Sequence, residues 1–169
     1  HNLYIFKYNT TKMITITENI TINSDINKIW AFITDFSLSL NYNRFHTNLE
    51  LPANYSVGKI KKFNISHNFG FGNYEMVAEI TECVPPNRLC ISEYCKGAKG
   101  KGFPHSIQFH IEPHRDQSKI SYTVAGTYGG KVQDISFKPI LKGVMIEELL
   151  KIKNAIESSD TIPKPNITP

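Results

Sequence analysis

From Leu49 to Tyr128 the chain is a succession of short segments in which apolar residues recur at every second position, each closed by turn residues. After Gly129-Gly130 the period changes. Phe137, Leu141, Val144, Met145, Leu149, Ile152 and Ile156 follow three- and four-residue steps. A period of two belongs to half-buried strands and a period near 3.6 to an amphipathic helix. A block of strands followed by one long helix must bury the helix stripe on the apolar sheet face, which is an α+β arrangement with an antiparallel sheet.

The strand segments fall at about 48–51, 57–67, 73–83, 88–96, 105–113 and 119–128. They are separated by Pro52-Ala53-Asn54, Phe69-Gly70-Phe71-Gly72, Pro85-Pro86-Asn87, the Gly/Lys run 97–102 and residues 114–118. Connections this short favour consecutive antiparallel pairing. Ahead of them, Ile14, Ile16, Ile20 and Ile22 alternate with threonines and other polar residues, a further strand. It stops at Asn23-Ser24-Asp25, a helix-start cluster, and Ile26, Ile29, Trp30 and Ile33 then mark one helix face ending near Asp35. A second short helix is expected over about 37–45. Pro139 lacks a backbone donor, so the long helix is expected to begin or bend there. With three prolines in its last ten residues, the chain divides into an arm at 1–12, one domain at 13–158 and a disordered tail at 159–169.

A length of 169 residues with 40% hydrophobic content suits one core. The net charge of +4 is mild and interspersed, which argues against a nucleic-acid surface. Three cysteines, Cys83, Cys90 and Cys95, are an odd number, which fits reduced thiols and a cytoplasmic location better than a disulfide framework. No run approaches the roughly 18 apolar residues of a membrane span, and residues 1–12 lack the pattern of a secretory signal.

The order strand, two helices, antiparallel strands and long helix resembles the helix-grip fold of the Bet v 1-like, START-related superfamily (SRPBCC), in its polyketide cyclase/dehydrase and lipid-transport branch. Particular residues carry the resemblance. Ile20-x-Ile22 leads through Asp25-Ile26-Asn27-Lys28-Ile29-Trp30 to Ile33-Thr34-Asp35, and Tyr42 falls near a frequent family aromatic. Val57-Gly58, Ile80-Thr81-Glu82 before Pro85-Pro86-Asn87-Arg88-Leu89, and the helix from Leu141 to Glu157 are also similar. The resemblance spans about residues 13–158. It implies a curved sheet of about seven strands (β-α-α-β6-α) around the C-terminal helix, with a cavity between them for a hydrophobic small molecule or lipid. The superfamily hosts binders, carriers and enzymes, so the fold alone does not choose among them.

Phasing assigns the inward side chains. Phe63, Ile65 and His67 share one face, as do Tyr74, Met76, Ala78 and Ile80. Leu89, Ile91, Glu93 and Cys95 follow, then Ile107, Phe109 and Ile111, then Ile120, Tyr122 and Val124. Phe137, Leu141, Met145 and Leu149 come from the helix. Each serves equally as packing or as ligand contact. The candidate ligand-binding set is Tyr42, Phe63, Ile65, His67, Met76, Ile91, Glu93, Ile107, Phe109, Tyr122, Phe137, Leu141 and Met145. His67, Glu93 and Tyr122 interrupt the apolar phase. A charge there needs a partner, a place at the mouth, or a bulge that turns it outward. Glu93 is read as the sole acid on an inward face, which leaves no paired-carboxylate site.

Gly143 falls inside the helix, either for close approach or as a tolerated kink. His105, His110 and His114 cluster in sequence, but odd steps put His105 and His110 on opposite strand faces, as with Cys90 and Cys95, so no metal or other cofactor is expected. The loop 96–102 lacks the phosphate-loop order, and its lysines suit a solvated hairpin tip or a transient membrane contact at the cavity mouth. No nucleophile motif is present. The leading expectation is a non-enzymatic binder or carrier. The alternatives are a polyketide cyclase/dehydratase-like enzyme using His67, Glu93 and Tyr122, and a co-chaperone-like interaction module.

Overall fold

A computed structural model describes residues 14–70, 72–96 and 102–160, excepting the side chains of 159 and 160. The arm expected at 1–12, most of the Gly/Lys loop and the end of the tail lie outside these residues. Strand β1 (Ile14–Ile22) is followed by α1 (Ile26–Thr34), α2 (Phe36–Ser39) and a 3₁₀ turn at Leu40–Tyr42. Six strands come next: β2 (His46–Glu50), β3 (Lys62–Asn68), β4 (Asn73–Val84), β5 (Arg88–Cys95), β6 (His105–His114) and β7 (Gln117–Gly126). Helix α3 (Lys131–Asp160) closes the domain. The strands form one antiparallel sheet in the order β1-β7-β6-β5-β4-β3-β2. This is the α+β arrangement expected from the periodicity and the helix-grip architecture that the resemblance implied.

Local chemistry sets the turns between elements. The Asp25 carboxylate accepts from the amides of Asn27 at 2.9 Å and Lys28 at 3.1 Å, capping α1. Asp35 ends α1 and starts α2, and its carboxylate accepts from the Tyr55 hydroxyl at 3.0 Å. Asp25 therefore caps a helix, and Asp35 ties the α1–α2 corner to Tyr55.

The inward phases hold on every strand. Phe63, Ile65, Met76, Ala78, Leu89, Ile91, Ile107, Phe109, Ile111, Ile120 and Val124 are all buried. Residues 57–61 are not strand, contrary to the expected 57–67 segment. Ser56 accepts backbone bonds from Lys59 and Ile60, making a turn that buries Val57. The register of β4 against β5 slips between Ile80 and Glu82, a bulge that lies beyond Glu93 and does not turn it outward.

Helix α3 starts eight residues before Pro139 and runs through it, so Pro139 neither begins nor ends it. Ile135, whose carbonyl would have accepted the missing bond, lies with Pro139 on the exposed side, where water can replace it. Near its C-terminal end, Lys153 Nζ donates to the Thr21 carbonyl at 2.7 Å and Glu157 accepts from the Asn23 amide at 2.8 Å, fastening α3 to β1. Gly143 is exposed, and a Cβ there would meet nothing within 4 Å, which leaves close approach without a role for it. The outer face of α3 is itself apolar, with Val132, Ile135, Ile140, Ile146 and Leu150 exposed. No helix among the described residues is long and apolar enough to cross a membrane. The three cysteines are free thiols.

Candidate functional site

The gripped interior carries two polar clusters. The first comes from cross-strand register. His46 on β2 pairs with His67 on β3, and Glu93 on β5 pairs with His105 on β6. These residues lie far apart in sequence, and the sheet brings their side chains to one place. His67 and Glu93 are each 1% exposed. His67 Nε2 lies 3.1 Å from Glu93 Oε2, and His105 Nε2 lies 3.4 Å from the same oxygen. His67 Nδ1 and Glu93 Oε1 are buried with neither a hydrogen-bond nor an ion-pair partner. Glu93 is therefore inside, beside imidazoles, and not at the rim.

The outer nitrogens of two of these histidines are engaged. His46 Nδ1 lies 2.6 Å from the Leu40 carbonyl and His105 Nδ1 lies 2.6 Å from the Phe103 carbonyl. A carbonyl only accepts, so both Nδ1 atoms carry protons. Burial drives the His46 imidazole down to about 4 and also lowers His105, in each case outweighing the attraction of Glu93. Burial pushes Glu93 up, but the charges of His67 and His105 prevail and hold it at about 2. His105 is thus both depressed by burial and credited with stabilising the carboxylate. The direction that stands is a carboxylate that keeps its charge.

Aromatic rings enclose this cluster. Phe69 stacks on His67 with centroids 5.0 Å apart, and Phe103 stacks on His105 at 4.8 Å. Phe137 from α3 packs against Phe45, Phe69, Phe103 and Tyr128 at 4.4–6.0 Å. Gly126 makes room for the arrangement. It pairs with His105 across β6–β7, and a Cβ on it would lie 2.6 Å from His105 Cβ and from the Pro104 carbonyl.

The second cluster centres on Glu148 of α3, which is 2% exposed. Its Oε2 accepts from the Tyr122 hydroxyl at 3.0 Å and from Asn43 Nδ2 at 2.9 Å. Burial raises its carboxyl to about 8, against the two hydrogen bonds that favour the charged form. Glu93 is consequently not the sole inward acid, and the sequence reading is corrected here. Glu148 lies seven residues after Leu141 and three after Met145, on the helix face those residues bury, so the signal was present.

The other sequence candidates divide by place. Phe63, Ile65, Met76, Ile91, Ile107, Phe109, Leu141 and Met145 are buried on the gripped faces, and Phe109 stacks on Tyr122 at 4.6 Å. Tyr42 is half-buried and stacks on Phe32 of α1. His110 is half-buried and His114 exposed, and neither joins the His67–Glu93 cluster. An open depression of about 360 Å³ lies at the β2–β3 margin, lined by Glu50, Leu51, Pro52, Lys62, Phe63 and Asn64. It is a feature of the sheet edge and reaches neither polar cluster.

No known family's sequence profile matches the chain, and no curated protein does. Solved structures do match in fold. A START superfamily protein from Mycobacterium smegmatis superposes with a TM-score of 0.66 at 13% identity, covering 87% of this chain and 99% of that one. The di-domain ARO/CYC StfQ from the steffimycin biosynthetic pathway gives 0.67 at 10% identity, covering 89% of this chain and 53% of that one. The Aha1 dimer from Colwellia psychrerythraea gives 0.58 at 17% identity, covering 85% and 96%. The chain has the fold shared by these START, ARO/CYC and Aha1 structures.

Proposed function

We propose that the protein binds a hydrophobic small molecule or lipid between the sheet and α3. The apolar body lies along Phe63, Ile65, Met76, Ile107, Leu141 and Met145, and the polar end is met by His67, Glu93 and Tyr122. The single observation that carries this reading is the pair of buried atoms His67 Nδ1 and Glu93 Oε1, which have no hydrogen-bond or ion-pair partner within a gripped aromatic interior. Each such group costs about 1–3 kcal/mol while unpaired, and a ligand's polar end would recover that cost. Rings now fill the adjoining space, so binding requires Phe69, Phe103 or Phe137 to swing aside. The START and ARO/CYC likenesses are compatible with such a ligand.

Titration of the delipidated protein with a fluorescent fatty-acid analogue tests the reading. Saturable one-to-one binding is expected, weakened about tenfold in His67→Gln, the equivalent of one lost hydrogen bond of roughly 1.4 kcal/mol. A folded protein that takes up no amphiphile saturably refutes it.

Two other readings each have an observation in their favour. Glu93 held at about 2 and Glu148 at about 8 give one charged and one protonated carboxyl at neutral pH, a proton donor beside a charge-stabilising carboxylate that suits a cyclase/dehydratase. Turnover of a polyketide substrate, abolished in both Glu93→Gln and Glu148→Gln, would establish it. The ring-filled interior and the exposed stripe on α3 suit a protein-contact role. Capture of a partner protein that is lost on Ile135→Lys would favour that reading.

A further inference from the structure

We propose that His46, His67 and Glu93, with His105 beside the carboxylate, form a binding site for one divalent transition-metal ion of the zinc class. One donor atom each from His46, His67 and Glu93 lies within 4.8 Å of the others. Donors around a tetrahedral zinc ion, with bonds of about 2.0–2.1 Å, stand about 3.3–3.4 Å apart. The two Nε2-to-Oε2 distances at Glu93, 3.1 Å from His67 and 3.4 Å from His105, are already close to that edge length.

The tautomers point the same way. The Leu40 and Phe103 carbonyls take the Nδ1 protons of His46 and His105, which leaves Nε2 on each ring as the lone pair. A backbone carbonyl holding the far nitrogen is how metal-ligating histidines are oriented. At His105 this turns a lone pair towards a carboxylate oxygen at 3.4 Å, two acceptors face to face, an arrangement that a cation between them makes favourable. The buried His67 and Glu93 atoms without a hydrogen-bond partner provide the independent observation, since one ion would take a nitrogen of His67 and the carboxylate of Glu93. Two imidazoles and one carboxylate select zinc, copper, nickel or iron over magnesium and calcium, which prefer all-oxygen sites. The His46 ring stands perpendicular to that of His67, with centroids 4.6 Å apart. The spacing of histidines along one strand hid this grouping, because its members meet across β2–β3 and β5–β6.

The proposal uses the same His67 and Glu93 atoms as ligand binding, and the experiments let the two fail separately. Metal binding is measured on delipidated protein, and fatty-acid binding on protein stripped of metal. The full chain is refolded with one equivalent of Zn²⁺, dialysed, and its metal content determined, with Mg²⁺ as control. One zinc per chain is expected, with a higher melting temperature than the metal-free protein. His105→Ala should weaken the affinity about 10–100-fold, and His67→Gln should abolish stoichiometric binding. His110→Ala and His114→Ala should change neither. Replacement by Co²⁺ keeps the test decisive if a variant does not fold, because four-coordinate nitrogen/oxygen cobalt absorbs intensely in the visible range. No stoichiometric zinc, zinc retained in full by His67→Gln, zinc lost on replacing His110 or His114, or only the weak absorption of six-coordinate cobalt would each overturn the proposal.

Discussion

Replacing Glu148 with glutamine should remove a fall in stability that the native protein shows between about pH 6.5 and pH 8. Folding buries the Glu148 carboxyl and raises it from 4.5 to about 8. The folded protein therefore keeps a proton over a range in which the unfolded chain has lost it. Such a group contributes stability that is complete below pH 4.5 and is lost as pH rises through 8. His46 works in the opposite sense. Its folded value of about 4, against 6.5 unfolded, adds stability as pH climbs from 4 to 6.5. The two effects largely offset each other below 6.5, and Glu148 stands alone above it. At about 1.4 kcal/mol per pH unit the loss from 6.5 to 8 is on the order of 2 kcal/mol. For a chain of 169 residues that is a melting temperature roughly 4–8 °C lower at the alkaline end. Thermal denaturation followed by far-ultraviolet circular dichroism, in half-unit steps from pH 6 to 8.5, resolves it. The glutamine variant lacks this group and should show no fall in stability between pH 6.5 and 8. Parallel curves for native and variant protein would refute the assignment of a neutral, buried Glu148.

Two further substitutions test how the backbone supports the site. Gly143→Ala should stabilise the protein by up to about 1 kcal/mol, a rise of a few degrees in melting temperature, because the new Cβ meets open space in a helix interior. Gly126→Ala should destabilise it by about 1–3 kcal/mol, since its Cβ would overlap His105 and the Pro104 carbonyl. It should also shift the His105 imidazole signals in an NMR spectrum of the folded variant.

The fold was readable because the apolar phase of each strand is set by burial on one side only. A one-residue error would have turned Ile91, Ile107 and Ile120 outward, and all three are buried. The same alternation put His67, Glu93 and Tyr122 inside. Helix phase equally marks Glu148, which charge alone suggested was exposed. His46 was not legible, because β2 has no apolar alternation and its start was read two residues late. The meeting of His46 with His67, and of Glu93 with His105, depends on which strand lies beside which and in what register. Periodicity within one strand carries neither. Pro139 was misjudged for a related reason. Its cost depends on whether the fourth residue before it faces water, which is a property of the packed helix.

The account holds that the gripped interior takes an apolar molecule, and native mass spectrometry of the purified protein before and after denaturation addresses this most directly. An added mass of a few hundred daltons, lost on denaturation and soluble in organic solvent, is the expected result. A bare chain that also stays bare after incubation with lipid extract would contradict the account and leave the aromatic interior as packing.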